Sequence, residues 1–253
     1  MHHSERQRRI LSTARSAGYT DVAKLVADLA VAPETIRRDL RILERRGLLK
    51  RTHGGAYPVE TARFETSLAT RTTRYLGEKR RVASAAIERI GSARTIFIDE
   101  GFTPQLIAQE LPQDRPLTVV TASLGAAAAL AHNTAVSVIL LGGRVRGRTL
   151  ATVDFWGTDM LSGLDIDLAF LGANGISLQH GLTTPDPAVA DVKAQVVRAS
   201  RRRVFIGVHE KFGVCSFCRF AEIPDLEAIV TDAALPGEEA ERYMRVGPQV
   251  YRA

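Results

Sequence analysis

The chain has 253 residues, 45% of them apolar, with 34 Lys+Arg against 28 Asp+Glu and two cysteines. That length holds one small and one medium domain with real cores, and so apolar a composition argues against disorder. No apolar run reaches the ~20 residues a membrane span needs, and Met1-His2-His3 leads straight into a charged helix rather than a secretory leader. Two cysteines make no disulfide scaffold, so the expectation is a cytoplasmic two-domain protein without membrane contact.

The net charge of +6 is uneven. Residues 1–57 carry 12 basic and 6 acidic side chains and the remainder 22 of each, so the whole excess lies at the front. Localised positive charge supplies sequence-independent affinity for phosphate. In chain order, Ile10 and Leu11 predict a first helix over Glu5–Ala17, closed by Gly18. Val22, Leu25 and Leu29 predict a second, capped by Thr20 or Asp21. After the turn Ala30-Val31-Ala32, Pro33 suits the first position of a third helix, where its missing N–H is not needed. Arg37, Arg38 and Arg41 fall on one side of that helix, and Ile36, Leu40 and Leu43 on the side facing a small core. Gly47 ends it, and Leu48–Ala56 reads as a short basic hairpin.

This is the pattern of a winged helix-turn-helix, whose recognition helix enters the DNA major groove. Thr35, Arg37, Arg38 and Arg41 are the expected helix contacts to double-stranded DNA, with Lys50, Arg51 and His53 on the wing. An isolated arginine is better read as a solvated face; the set, at this spacing and with this charge asymmetry, favours DNA. The resulting division is 1–57 as the DNA-binding domain, 58–77 as a linker that transmits the state of the second domain, and 78–253 as that second domain.

From Glu78 onward, helix-like stretches (Glu78–Ile90, Thr103–Leu111, Ser123–His132, Asp186–Ser200) alternate with short β-branched runs. These are Thr95–Asp99, Leu117–Thr121, Val136–Leu141, Asp167–Leu171, Val204–Val208 and Ala228–Thr231. The pattern predicts an α/β domain with a mostly parallel, doubly wound sheet, which binds ligands beyond the carboxyl ends of its strands. The loops there hold Asp99, Gly101 and Thr103, then Gly142 and Gly143 followed by Arg144, Arg146 and Arg148. Further on come Gly172, Asn174 and Gly175, then Thr183, Thr184 and Lys193, and finally Lys211. Glycines admit backbone N–H groups to an anion, and hydroxyls and lysines add donors. Together they predict a site for a small phosphorylated or polyhydroxylated ligand, although each loop alone is ordinary turn chemistry.

These residues carry a resemblance over nearly the whole chain. Thr35–Leu40 and Leu43–Ala56 match the Thr-Ile-Arg-Arg-Asp-Leu and Arg-Thr-His-Gly-Gly-Ala pattern of the DeoR-type bacterial regulators of carbohydrate operons. Leu140–Gly143, Gly172–Gly175, Gly181–Pro187, Val192-Lys193 and Lys211-Phe212-Gly213 with Ser216-Phe217 match their C-terminal pattern. The resemblance implies a sensor domain similar in fold to ribose-5-phosphate isomerase and coenzyme A transferases. It also implies transcriptional repression relieved by a sugar-phosphate-like effector. The chain departs from the usual Asp-Ser-Gly-Thr-Thr loop at Glu100 and Phe102, and from other expected polar positions at Ala122, Val189 and Val208-His209-Glu210. A carboxylate in the first loop repels phosphate unless a cation neutralises it. Either the effector differs from the ordinary one or the site has partly lost ligand binding; the retained Thr183, Thr184, Lys193 and Lys211 favour the former.

Cys215 and Cys218 have the spacing of a zinc half-site, with His180 and His209 as conceivable additions, but no second cysteine pair exists, and they read as two small half-buried residues. Trp156 reads as a packing aromatic. Asp99 and Asp167 end up either as general bases or as hydrogen-bonding loop carboxylates. No metal or cofactor is expected. A regulator is expected rather than a sugar-phosphate isomerase, because Asn174 stands where such an enzyme needs a carboxylate and an amide is no base at neutral pH. A DNA-binding protein whose second domain only assembles it stays open. One recognition helix reads too few base pairs to find an operator, so a homodimer or higher homo-oligomer is expected.

Overall fold

The computed structural model describes residues 3–17, 19–45, 48–51, 54–58 and 72–253. Gly18, Gly47, His53 and most of the proposed linker lie outside them. The chain divides into two compact units, 1–66 and 67–253.

The first unit holds α1 (His3–Ala17), β1 (Thr20–Asp21), α2 (Val22–Leu29), α3 (Pro33–Arg45), β2 (Leu49–Arg51) and β3 (Gly55–Pro58). Asp21 is the cap of α2, accepting from Lys24 N at 2.6 Å. α2 ends on Ala30, whose φ of +51° is the left-handed cap that glycine usually supplies. The wing is a three-stranded sheet in the order β1-β3-β2. β1 was not legible in the sequence because two residues carry no periodicity. Its pairing makes a demand on Gly55, where a Cβ would lie 2.1 Å from Thr20 O. Ile10, Ala14, Leu25, Ile36, Leu40, Leu43 and Leu49 close the core. Asp39, also buried, accepts from Arg6 Nε at 2.5 Å and Gln7 Nε2 at 3.0 Å and ties α3 to α1.

The second unit is built on a seven-stranded sheet in which every pairing is parallel. Its strands are β4 (Thr95–Ile98), β5 (Leu117–Thr121), β6 (Val136–Leu140), β9 (Ile166–Leu171), β12 (Ser200–Ile206), β14 (Ala228–Thr231) and β15 (Gln249–Arg252). Their order, β15-β14-β12-β9-β4-β5-β6, means the chain winds outward from β4 in one direction, then restarts at β9 in the other. β4 and β9 are therefore the topological switch point.

Alternation along the strands serves both faces. Ile96 and Ile98 point to a layer with Val82 and Ala86 of α4 (Leu76–Ile87), Ile107 of α5 (Phe102–Glu110) and Leu130 of α6 (Leu124–Leu130). Phe97 points the other way, to Leu161 of α7 (Phe155–Ser162) and Val192 and Val196 of α8 (Pro187–Ala199). Being apolar on both faces, the strands read as continuous apolar runs. A small antiparallel sheet, β10 (Gly175–Ser177), β11 (Gly181–Thr184) and β13 (Cys218–Ala221), and a hairpin, β7 (Arg144–Arg146) with β8 (Ala151–Val153), complete the unit with α9 (Gly237–Met244). The predicted helix to Ser200 stops one residue earlier, and β12 begins at once.

Candidate functional site

On α3, the apolar stripe Ile36, Leu40 and Leu43 is buried, which turns Arg37, Arg38 and Arg41 outward; Thr35 is half-buried. Glu34 holds two of these cations, Arg37 Nη1 at 3.1 Å and Arg41 Nη2 at 3.0 Å. On the wing, Arg51 is exposed, its backbone N–H donating to Glu44 Oε1 at 2.9 Å. Lys50 lies in β2. The outcome is a cationic surface on a rigid helix beside a basic strand.

In the second unit the structure brings Asp99, Glu100, Gly172 and Lys193 together at the switch point. Asp99 follows β4 and is buried. Its Oδ1 accepts from Glu100 N at 2.8 Å and its Oδ2 from Gly172 N, after β9, at 2.8 Å. Lys193 reaches in from the second turn of α8, donating to Asp99 Oδ2 and to Gly172 O, the latter at 3.0 Å. Its ammonium also stands 3.9 Å from Glu100 Oε1. Asp99 is thus the knot of two loops rather than an idle base. Asp167, at the opposite end of its strand, accepts from Arg94 N and Thr95 N at 2.9 and 3.0 Å, and the Thr95 bond leads in holding its carboxyl below the ordinary value. Of the two readings left open for these aspartates, the hydrogen-bonding one fits both.

Gly101 opens α5 with φ of +113°, and Thr103 is buried in its first turn. Asn174, Gly175, Thr183 and Thr184 form one hydrogen-bonded group, with Asn174 Oδ1 accepting from Thr184 Oγ1 at 3.3 Å. Thr183 Oγ1 donates to Gly175 O and accepts from Ser216 N. α8 is capped by Asp186, which also pairs with Arg146 Nη2 at 2.9 Å. Lys211 lies in a short 3-10 turn, His209–Lys211, after β12, 3.7 Å from Glu210 Oε1. Gly142 and Gly143 line a different groove, with Phe155, Trp156 and Met160.

Sequence reasoning missed three features. His209, seen as a departure from a pattern and as a conceivable zinc ligand, donates its backbone N–H to Asp232 at 2.6 Å and holds the same carboxylate through Nδ1 at 2.7 Å. That hydrogen bond pushes the imidazole pKa up. Arg74 and Tyr75, in the stretch assigned to the linker, pack on that same turn: Arg74 Nη1 lies 3.0 Å from Glu210 Oε2, and the Tyr75 ring meets the His209 ring edge-on at 5.1 Å. Trp156, expected to pack, is 60% exposed, because α7 buries Gly157 and Leu161 and so turns Phe155, Trp156 and Met160 to solvent. The two cysteines are unbonded and half-buried, and no group of His, Cys, Asp or Glu that could hold a metal occurs among the described residues. Nor, among these, is any helix long and apolar enough to cross a membrane.

Comparisons with known proteins agree with this two-part organisation. Residues 6–62 match the DeoR-like helix-turn-helix domain and residues 75–233 the DeoR C terminal sensor domain. The HTH-type transcriptional regulator GlpR of Haloferax volcanii is 33% identical over 247 residues, 98% of this chain and 96% of that one. The glycerol-3-phosphate regulon repressor of Escherichia coli is 31% identical over 236 residues, 93% of each. A ribose 5-phosphate isomerase from Methanocaldococcus jannaschii superposes on 53% of this chain and 53% of its own at a TM-score of 0.38 and 19% identity, too slight a likeness to carry an argument. The chain belongs to the DeoR family of helix-turn-helix transcriptional regulators, with a DNA-binding unit followed by a small-molecule sensor unit.

Proposed function

We propose that the protein is an operator-binding repressor of carbohydrate-related genes, released or tightened by a small polyhydroxylated or phosphorylated metabolite at the Asp99–Lys193 switch point. The observation that carries this reading is the convergence of Asp99, Glu100, Gly172 and Lys193 where β4 and β9 part, the place at which a doubly wound sheet receives its ligand. Gly101 and Thr103, the Asn174–Gly175 and Thr183–Thr184 group and Lys211 supply the remaining polar wall. Gly142 and Gly143 have no part in the cluster's hydrogen bonds and belong to another surface.

DNA is read by Thr35, Arg37, Arg38 and Arg41, with Lys50, Arg51 and His53 on the backbone beside them. Two copies act together, since half-sites one helical turn apart match a two-fold protein. The sensor does no chemistry: both oxygens of Asp99 are occupied, and Asn174 has no basic lone pair at neutral pH. The name of one relative, a glycerol-3-phosphate regulon repressor, supports a small phosphorylated effector. Glu100 beside Asp99 favours a ligand of lower negative charge.

The test is to select bound duplexes from a random-sequence library with the full chain. Operator affinity is then measured by fluorescence anisotropy with and without sugar phosphates, free sugars and polyols. A palindromic operator whose affinity one of these compounds changes is the expected result. Absence of any selected sequence overturns the DNA reading, and an operator indifferent to every compound overturns the effector reading.

A further inference from the structure

Of the eleven large apolar side chains exposed among the described residues, six lie between positions 140 and 160: Leu140, Val145, Leu150, Phe155, Trp156 and Met160. The aromatic pair stands out at 65% and 60% exposure. Single exposed apolar residues are ordinary, but contiguous patches mark contact surfaces. Here Phe155, Trp156 and Met160 are joined. The Phe155 and Trp156 rings lie 4.5 Å apart between centroids, Met160 Sδ accepts from Gly142 N at 3.3 Å, and Trp156, Met160 and both glycines line one groove. Gly143 is fixed there, with φ of +134° and room for no Cβ, since one would lie 2.1 Å from Val153 O. The neighbouring β6 is the outermost strand of the sheet, with one side of its ladder open.

We propose that this surface docks a second copy of the chain about a two-fold axis. The inference rests on the reading of the protein as an operator-binding pair, and it names the face that makes the pair. An aromatic and methionine centre with a charged rim is the anatomy of a protein–protein contact. The rim is self-complementary in charge. Arg144 and Asp159 line the same groove, so a two-fold axis sets the cation of one copy against Asp159 of the partner subunit. Arg144 stays available for this, being two-thirds exposed while held by Asp154 at 2.9 Å.

The experiment compares the full chain with F155E/W156E by sedimentation velocity at tens of micromolar, with circular dichroism as the check on folding. Wild type is expected at twice the chain mass or a multiple of it. The variant is expected at half the wild-type mass, with an unchanged spectrum because both side chains face solvent. R144E is expected to weaken the assembly, and R144E/D159R to restore it. Trp156 is the only tryptophan in the chain, so its emission reports the contact without any substitution: it is expected to shift to longer wavelength as wild type is diluted through dissociation.

A wild type that is monomeric overturns both the pair and this face. A wild type that associates while F155E/W156E keeps its mass overturns the face and leaves the pair. Should the double variant fail to fold, wild-type emission that stays constant while the mass halves on dilution overturns the face by itself.

Discussion

Arg74 and Glu210 meet at 3.0 Å, so the stretch by which the chain enters the sensor unit is fastened to the turn after β12. The fastening is multiple. The Tyr75 ring lies against His209, and the Lys79 ammonium donates to Arg74 O at 2.5 Å while standing 5.7 Å from the centre of the ring of Phe102, the first residue of α5. Tyr75 itself is held at φ of +54°, a left-handed conformation that costs a side-chain-bearing residue about 1–2 kcal/mol. The turn after β12 and the start of α5, both bordering the proposed effector site, therefore grip residues near the described start of the sensor unit. Arg74→Met is expected to shrink the effector's influence on operator affinity toward none, from the coupling of about 1–3 kcal/mol usual between linked sites. Anisotropy titrations with and without effector measure it; an undiminished ratio shows that coupling takes another route.

The same turn makes stability depend on pH. The Asp232 hydrogen bond raises the His209 pKa above 6.5; burial alone raises that of Asp232, but the bonds from His209 bring it below 3.8. A raised histidine contributes fully below its unfolded pKa and loses that contribution as pH rises through the folded one. A lowered carboxylate contributes above its unfolded pKa and loses that as pH falls. The pair is therefore at full strength between about pH 4 and 6.5. Asp232→Asn is expected to lower the melting temperature more at pH 6 than at pH 8.5, and an equal loss at both would show that the charge on His209 contributes nothing.

How far the sequence disclosed this structure depends on the length of the element concerned. Ile36, Leu40 and Leu43 sit at helical spacing, so the cationic face of α3 follows from them directly. The apolar runs of β4, β9 and β12 likewise announce a sheet covered on both faces. Pairwise side-chain geometry was hidden. That Lys193 meets Asp99 across 94 positions, or that Arg74 meets Glu210, follows from how the sheet folds back and leaves no periodic trace. The hairpin β7–β8 and the strand β1 are two to three residues per strand, too short to show alternation. The exposure of Trp156 depended on which face of α7 the sheet covers, and composition favoured the opposite expectation.

Lys193 is nearly inaccessible and balances the buried carboxylates of Asp99 and Glu100. Removing one partner of a buried pair leaves an uncompensated charge, at about 3–5 kcal/mol. Lys193→Met is expected to destabilise the sensor unit by that order, and adding Asp99→Asn to recover part of the loss. Urea unfolding followed by circular dichroism measures both. A double variant no more stable than the single one would mean that Lys193 acts through its packing and through Gly172 O rather than through charge.

Glu34 restrains the surface assigned to DNA. It holds Arg37 and Arg41 at 3.1 and 3.0 Å, all three exposed, so these are weak surface pairs that a phosphate displaces. Glu34→Gln removes a negative charge next to the phosphates and frees two guanidinium groups. Operator affinity is expected to rise, with non-specific affinity rising beside it, because the gain is electrostatic. Arg38→Ala is expected to act in the opposite sense, lowering affinity and reducing the slope of log K against log salt by about one. Titrations over a range of salt concentrations separate the two effects. If Glu34→Gln leaves both affinities unchanged and Arg38→Ala leaves the slope intact, the outward face of α3 is not the surface that meets DNA.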